Sequence, residues 1–75
     1  MALLNGGGYA EYAVAHAAHC LPVPVGLSLL DAAGVPEAAF TVWHNLFELG
    51  RLRSGDSVLI HGAASGVGSF TVQCA

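Results

Sequence analysis

The residues best suited to chemistry form one continuous stretch from His61 to Gly68, which reads His-Gly-Ala-Ala-Ser-Gly-Val-Gly. A short apolar segment, residues 57–61, precedes it, and a segment of helical character runs from it to Ala75. Small residues between a strand and a helix let the backbone approach a pyrophosphate closely, and the free N–H groups at the helix start attract negative charge. This stretch therefore predicts a dinucleotide phosphate site.

The stretch departs from the generic G-x-G-x-x-G fingerprint, because Ala63 and Ser65 occupy the first two glycine positions and only Gly68 fills the third. Spacing alone leaves open an ordinary strand-to-helix turn whose small residues serve packing. The buried strand expected before the turn and the helix expected after it favour nucleotide binding. A Walker A loop is excluded, because it requires a lysine and the chain has none.

The elements that position this turn can be predicted along the whole chain. Residues 9–20 alternate in a way that indicates a strand or a pair of strands, with Tyr12, Val14 and His16 on one face. Ser28, with an acidic residue three positions later, predicts a capped helix over 29–33 that Gly34 and Pro36 close. Residues 57–61 predict a second strand, buried on both faces as in a parallel sheet.

A longer helix is predicted over 37–49. Its apolar side chains recur at helical spacing on one face, and its polar side chains fall on the other. The apolar stripe consists of Ala39, Val42, Trp43, Leu46 and Phe47, and the polar side of Glu37, Thr41, His44, Asn45 and Glu48. Aromatic residues at this spacing favour a core role over an aromatic substrate site.

Composition narrows the class of protein. Only 9% of the residues are charged, against about 25% in an average soluble domain, which indicates that other protein covers much of this surface. The net charge of −3 and the absence of lysine argue against nucleic-acid binding. Charge-free stretches contain histidine, proline and glycine, so we expect no membrane span and no signal peptide. Cys20 and Cys74 are expected to be free thiols, and the protein to be cytoplasmic.

A parallel strand needs a neighbour, which is reached through a crossover of about a dozen residues or more. The sequence after residue 66 has the character of a helix interior and carries no stop signal. We therefore expect the chain to be a fragment of a longer protein, and we do not expect it to fold or to act alone.

Several segments in order resemble one known family. His61 to Gly68, followed by Val72-Gln73, is similar to the cofactor loop of quinone oxidoreductases, the zeta-crystallin-like branch of the medium-chain dehydrogenase/reductases. Three further segments agree in the same order, and together they cover nearly the whole chain. They are Gly7 to Tyr12, Leu21 to Pro24 with Leu27-Ser28, and Ala38 to Trp43 with Ser54 to Ile60.

The resemblance implies an α/β fragment that spans the end of a GroES-like β domain and the first strand, turn and helix of a Rossmann domain. Its implied limits are 1–27 for the GroES-like part, 28–53 for interdomain helices and 54–75 for the start of the NAD(P)-binding domain. The implied enzyme transfers hydride from NADPH, or NADH, to a quinone or an activated alkene, without zinc and as a homodimer. The residues implied to bind the cofactor are Thr41, Ala64, Ser65, Gly66 and Val67.

Other candidates are weaker. His16 and Cys20 would share one face of the predicted strand while His19 points to the other, so we predict no metal site. No general acid or base is identified, and His61 is expected to be structural. Two alternatives remain open: a zinc-type alcohol dehydrogenase or enoyl reductase relative, and a non-catalytic nucleotide-binding or crystallin-like structural module. The residue that distinguishes NAD from NADP would lie beyond Ala75.

Overall fold

The computed structural model describes all 75 residues. It divides the chain into two compact units, Met1–Pro36 and Glu37–Ala75. Regular structure in both is helical, and the chain contains no β-strand. None of the helices combines the length and the apolar content that crossing a bilayer requires. The assignment of 1–27, 28–53 and 54–75 to named domains stays a prediction.

The predicted α/β fold class is wrong for this chain. A fragment with the end of a β domain and the first Rossmann strand would contain strands at 9–20 and 57–61, and the structure has none. A strand exists only through hydrogen bonds to a neighbour, and residues 57–60 make no backbone hydrogen bond. Burial on both faces was also wrong, because Leu59 is 83% exposed while Val58 and Ile60 are partly covered.

Within the first unit, the backbone hydrogen bonds of residues 9–20 are local and confined to 16–20, and residues 9–15 make none. A single 3₁₀ turn occupies Ala17–His19. The N–H of His19 donates to the carbonyl of His16 at 2.9 Å, and the N–H of Cys20 donates to that of Ala17 at 3.2 Å. Leu21 pairs with Met1 through an N–H···O bond of 2.8 Å. Local turns thus take the place of the ladder that a strand would need.

Helix α1, Leu29–Ala33, begins and ends where the sequence predicted. The Ser28 hydroxyl accepts from the Asp31 N–H at 3.0 Å and donates to its carboxylate at 2.5 Å, so the cap is confirmed. Pro36 does not close this helix. It lies buried in the first turn of α2, Val35–Trp43, where a missing N–H costs nothing.

The helix predicted over 37–49 is confirmed in extent but not in form. The α-helical part ends at Trp43, and His44–Leu49 continues as a π-helix that ends at Gly50. Its polar side is exposed as predicted, and Val42 is 2% exposed. The core role predicted for the aromatic residues is wrong for Trp43, which is 60% exposed and packs its ring 4.8 Å from that of Phe47.

A turn and a third helix complete the second unit. Ser54 and Gly55 form a turn, with the Asp56 carboxylate accepting from the Arg53 N–H at 2.8 Å. Helix α3, Gly66–Cys74, starts as predicted. Only Ala32 and Val42 are buried hydrophobic residues in the entire chain, whereas 15 large hydrophobic side chains are exposed. The exposed apolar side chains agree with the low charge of the sequence, from which we expected that other protein covers much of this surface.

Candidate functional site

The small-residue stretch forms a turn followed directly by α3. Residues 61–65 are turn and bend, and the helix begins at Gly66. Gly62 has a φ of +68°, a conformation that glycine adopts without a steric penalty. The N–H of Ser65 donates to the Gly62 carbonyl at 3.0 Å and closes the turn. The chain thus reverses tightly before it enters the helix.

Ser65 caps α3. Its backbone is extended, with φ −71° and ψ 166°, and its hydroxyl accepts from the N–H of Gly68 at 3.0 Å. Its carbonyl accepts from the N–H of Ser69 at 2.8 Å, the first regular bond of the helix. A serine at this position is preferred because its side chain satisfies one of the free amides of the first turn.

Three amides of the predicted site are unpaired. The N–H groups of Ala64, Gly66 and Val67 donate to no acceptor in the chain, whereas that of Ser65 is engaged in the turn. The first turn of α3 contains no acidic residue that could neutralise the positive end of the helix dipole. Unpaired donors at an uncompensated helix start are suited to an anion such as a phosphate.

Gly68 is required by close packing. A Cβ at this position would collide with the carbonyl oxygen of Gly62 and would lie 2.8 Å from the Cα of Ala63. Gly68 therefore packs directly against the turn. Below it, Thr71 is 8% exposed and donates its hydroxyl to the Val67 carbonyl at 2.8 Å. The turn and the first two turns of α3 therefore form one tightly bonded piece.

Thr41, the remaining predicted site residue, lies on the exposed side of α2. Its carbonyl accepts from the side-chain amide of Asn45 at 2.8 Å, and no hydrogen bond joins it to the 61–65 turn. On the same side, the His44 ring lies 2.6 Å from the Glu48 carboxylate, and both side chains are more than half exposed, at 58% and 57%. Sequence reasoning placed these residues on the polar face but assigned no function to Asn45 or to the His44–Glu48 pair.

One cavity of the second unit lies away from the turn. It has a volume of about 520 Å³ and is lined by residues 52–56, by Val58 and Ile60 and by the last residues of α3. Its walls carry neither Thr41 nor any residue of 61–68. The candidate phosphate site formed by these amides is therefore separate from this cavity.

The histidine-rich segment differs from its predicted arrangement. The rings of His16 and His19 do not diverge, because the 3₁₀ turn brings their centroids to 5.1 Å. The Nδ1 atom of His16 accepts from the N–H of Ala18 at 3.2 Å. No group of three or more His, Cys, Asp or Glu side chains in the chain could hold a metal ion.

Known proteins resemble the chain over most of its length. It is 44% identical to a quinone oxidoreductase of Mus musculus and 42% to one of Rattus norvegicus, each over 69 residues that cover 92% of the chain. It is 37% identical over all 75 residues to the highly reducing polyketide synthase dmxL2 of a Cryptosporiopsis species. The chain spans 21% of the two quinone oxidoreductases and 3% of the synthase.

No family model matches the chain. No solved structure matches it either.

These relatives are enzymes of reduction, so they support an oxidoreductase and, in general, a nicotinamide cofactor. The homologues include quinone oxidoreductases, which is consistent with a fragment of the medium-chain dehydrogenase/reductase superfamily. The resemblance noted from the four ordered motifs is thereby confirmed.

Proposed function

We propose that the protein containing these residues is an NADPH-dependent oxidoreductase that transfers hydride to a quinone or an activated alkene. The observation that carries the proposal is the unpaired pair of amides at Gly66 and Val67, at the acid-free start of α3. The similarity to quinone oxidoreductases over 92% of the chain supports the same assignment. NADH is the alternative cofactor.

In this proposal the backbone N–H groups of the turn and of the helix start would bind the cofactor's pyrophosphate. The N–H groups of Ala64, Gly66 and Val67 donate to phosphate oxygens, while the helix dipole favours their charge. Ser65 contributes in two ways: its N–H closes the turn, and its hydroxyl accepts from the N–H of Gly68. Because both bonds are already made, the turn and the helix start need not rearrange when the anion binds. Donors fixed in advance in this way lower the cost of binding.

Thr41 is proposed to lie near the nicotinamide. Its place on the exposed side of α2 leaves the hydroxyl available to a ligand. When bound, the cofactor would supply the hydride. The role of the protein would be to hold the hydride donor close to the hydride acceptor in the correct orientation and to exclude water. We assign no acid, base or metal ligand to these residues.

A second candidate acceptor is the double bond of an enoyl thioester. The observation that favours it is the match to a highly reducing polyketide synthase over the complete chain. Both reactions place hydride on an electron-poor acceptor, so the same cofactor site serves either. We further propose a small-molecule substrate, a homodimeric assembly and a cytoplasmic location, with no binding of nucleic acid or membrane.

The test is to express the protein from its complete reading frame and to follow NADPH oxidation at 340 nm with a quinone and, separately, with an enoyl thioester. We expect turnover of at least one acceptor, faster with NADPH than with NADH and unchanged by a zinc chelator. Loss of activity on chelation would favour the zinc-type alcohol dehydrogenase. Cofactor binding without turnover of any acceptor would indicate the non-catalytic module, and absence of NADPH and NADH binding would refute the proposal.

A further inference from the structure

The hydrogen bonding of α2 changes just after Thr41. The α-helix ends at Trp43, and His44–Leu49 forms a π-helix in which the N–H of Gly50 donates to the Asn45 carbonyl, five residues back, at 2.9 Å. Stretches of π-helix are rare and occur frequently at functional sites, because they alter the direction in which neighbouring side chains point. This geometry is therefore a candidate for positioning.

The wide turn is specified by the sequence at its end. A Cβ at Gly50 would lie 2.8 Å from the carbonyl oxygens of both Asn45 and Leu46. Only glycine fits there without displacing the backbone. The N–H of Leu52 also donates to the Leu46 carbonyl, at 2.9 Å, which holds the chain as it leaves the helix.

Asn45 connects the two kinds of helix. Its side-chain amide donates to the Thr41 carbonyl at 2.8 Å, and its own carbonyl accepts from Gly50. The side chain of Asn45 therefore bonds the last α-helical turn, which carries Thr41. Its backbone carbonyl bonds the π-helical turn that follows. The side chain is exposed and makes no other hydrogen bond.

We infer that Asn45 is a positioning residue that sets the orientation of Thr41 toward the nicotinamide. This inference rests on the proposed function. Asn45 acts on the backbone of Thr41, and the Thr41 hydroxyl makes the contact with the cofactor.

The test is a double-mutant cycle in the protein expressed from its complete reading frame. Asn45→Ala removes the donor, and Thr41→Val removes the hydroxyl but keeps the shape and the carbonyl. We expect Asn45→Ala to raise KM for NADPH by about five-fold, the value of one hydrogen bond. In the Thr41→Val background the same substitution should leave KM unchanged, since the group that Asn45 positions is gone.

A matched control lies in the same helix, where the exposed Glu48 carboxylate lies 2.6 Å from the His44 ring, a side-chain contact across the same four-residue spacing. Glu48→Ala should lower Tm about as much as Asn45→Ala without changing KM. In α3 the Gln73 side chain donates to the Ser69 carbonyl at 3.2 Å, the bond that Asn45 makes in α2. Asn45→Gln should therefore restore KM to within about two-fold of the unsubstituted protein. Asn45→Met, a good helix former without a donor, replaces Asn45→Ala if the latter fails to fold.

An equal rise of KM in both Thr41 backgrounds, or no rise in either, would overturn the role of Asn45. Failure of the proposed function gives a different result, because the unsubstituted protein would then bind no NADPH.

Discussion

The starts of α1 and α3 use the same cap but differ in charge. Ser28 and Ser65 have nearly the same backbone angles, with φ −69° and −71° and ψ 157° and 166°. Each hydroxyl accepts from the N–H three residues later at 3.0 Å. In α1 that residue is Asp31, whose carboxylate also bonds the Ser28 hydroxyl, and in α3 it is Gly68.

The difference shows how one local motif serves two purposes. The five-residue α1 carries its own anion, so its positive end is compensated by Asp31. The nine-residue α3 has no acid in its first turn. The first two amides are unpaired in both helices, those of Leu29 and Leu30 in α1 and those of Gly66 and Val67 in α3, so the starts differ in charge and not in the number of free donors. The acid-free start of α3 is therefore the one of the two that suits an anion from outside the chain.

The largest effect is expected for Gly68→Ala. The added Cβ collides with the turn, so the amides lose their alignment and the fold loses about 1–3 kcal/mol. We expect the Kd for NADPH to rise about 100-fold, as for a displacement of about 1 Å in a binding group. Fluorescence titration with NADPH measures the Kd, and thermal unfolding measures the stability.

The control is Gly34→Ala at the end of α1. Its φ is −84°, and the nearest neighbour of an added Cβ is 3.7 Å away, so we expect no loss of stability and an unchanged Kd. NADPH affinity that survives Gly68→Ala would show that the turn is not the phosphate site.

A smaller effect is expected for Val67→Glu, which gives the first turn of α3 an acidic side chain, as Asp31 does in α1. This substitution should raise stability but weaken binding. Val67 is 41% exposed, so a longer side chain can be accommodated. The acid should stabilise the helix start by about 0.3–1 kcal/mol and weaken NADPH binding about 10-fold by charge repulsion. Tm and Kd are compared with those of Val67→Gln, which has the same size without the charge. Equal Kd values for the two variants would contradict an anion at this helix start.

The smallest effect is expected for the caps themselves. Ser65→Ala and Ser28→Ala should each cost about 1 kcal/mol of unfolding free energy. Ser65→Ala should cost more, because the bond to Gly68 is partly buried while that to Asp31 is exposed. Only Ser65→Ala should also weaken NADPH binding, by about two- to five-fold. Denaturant unfolding measures the unfolding free energy, and NADPH titration measures the Kd. If Ser65→Ala and Ser28→Ala changed the Kd equally, the start of α3 would not be the NADPH site.

The helix starts could be predicted from the sequence because their causes are local. A serine and the backbone three residues away are enough to begin a helix. The Ser28 cap and the start of α3 lie where the sequence placed them, whereas the cap formed by Ser65 was not predicted. The turn at 61–65 also follows from its small residues alone. Most of the candidate phosphate site could therefore be predicted from the sequence. The hydrogen bond that engages the Ser65 N–H within the turn could not.

The strands could not be predicted from these 75 residues, because a strand depends on a partner that the pattern of one segment does not contain. Residues 57–60 have the alternation of partly covered Val58 and Ile60 with exposed Leu59, but no hydrogen-bonded neighbour. The π-helix was missed for another reason. Its periodicity differs little from that of an α-helix over six residues, and the only sequence signal is Gly50 at its end.

The contact between Gly62 and Gly68 restricts how this turn can diverge or be redesigned. The carbonyl of Gly62 lies where a side chain on residue 68 would begin, and the N–H of Ser65 holds it there. Residue 62 needs a left-handed backbone, which disfavours any side chain there. Residue 68 needs empty space, so it accepts a side chain only if the turn at residues 62 and 63 shifts. Engineering of cofactor preference should therefore leave this pair intact and alter side chains that lie outside the turn.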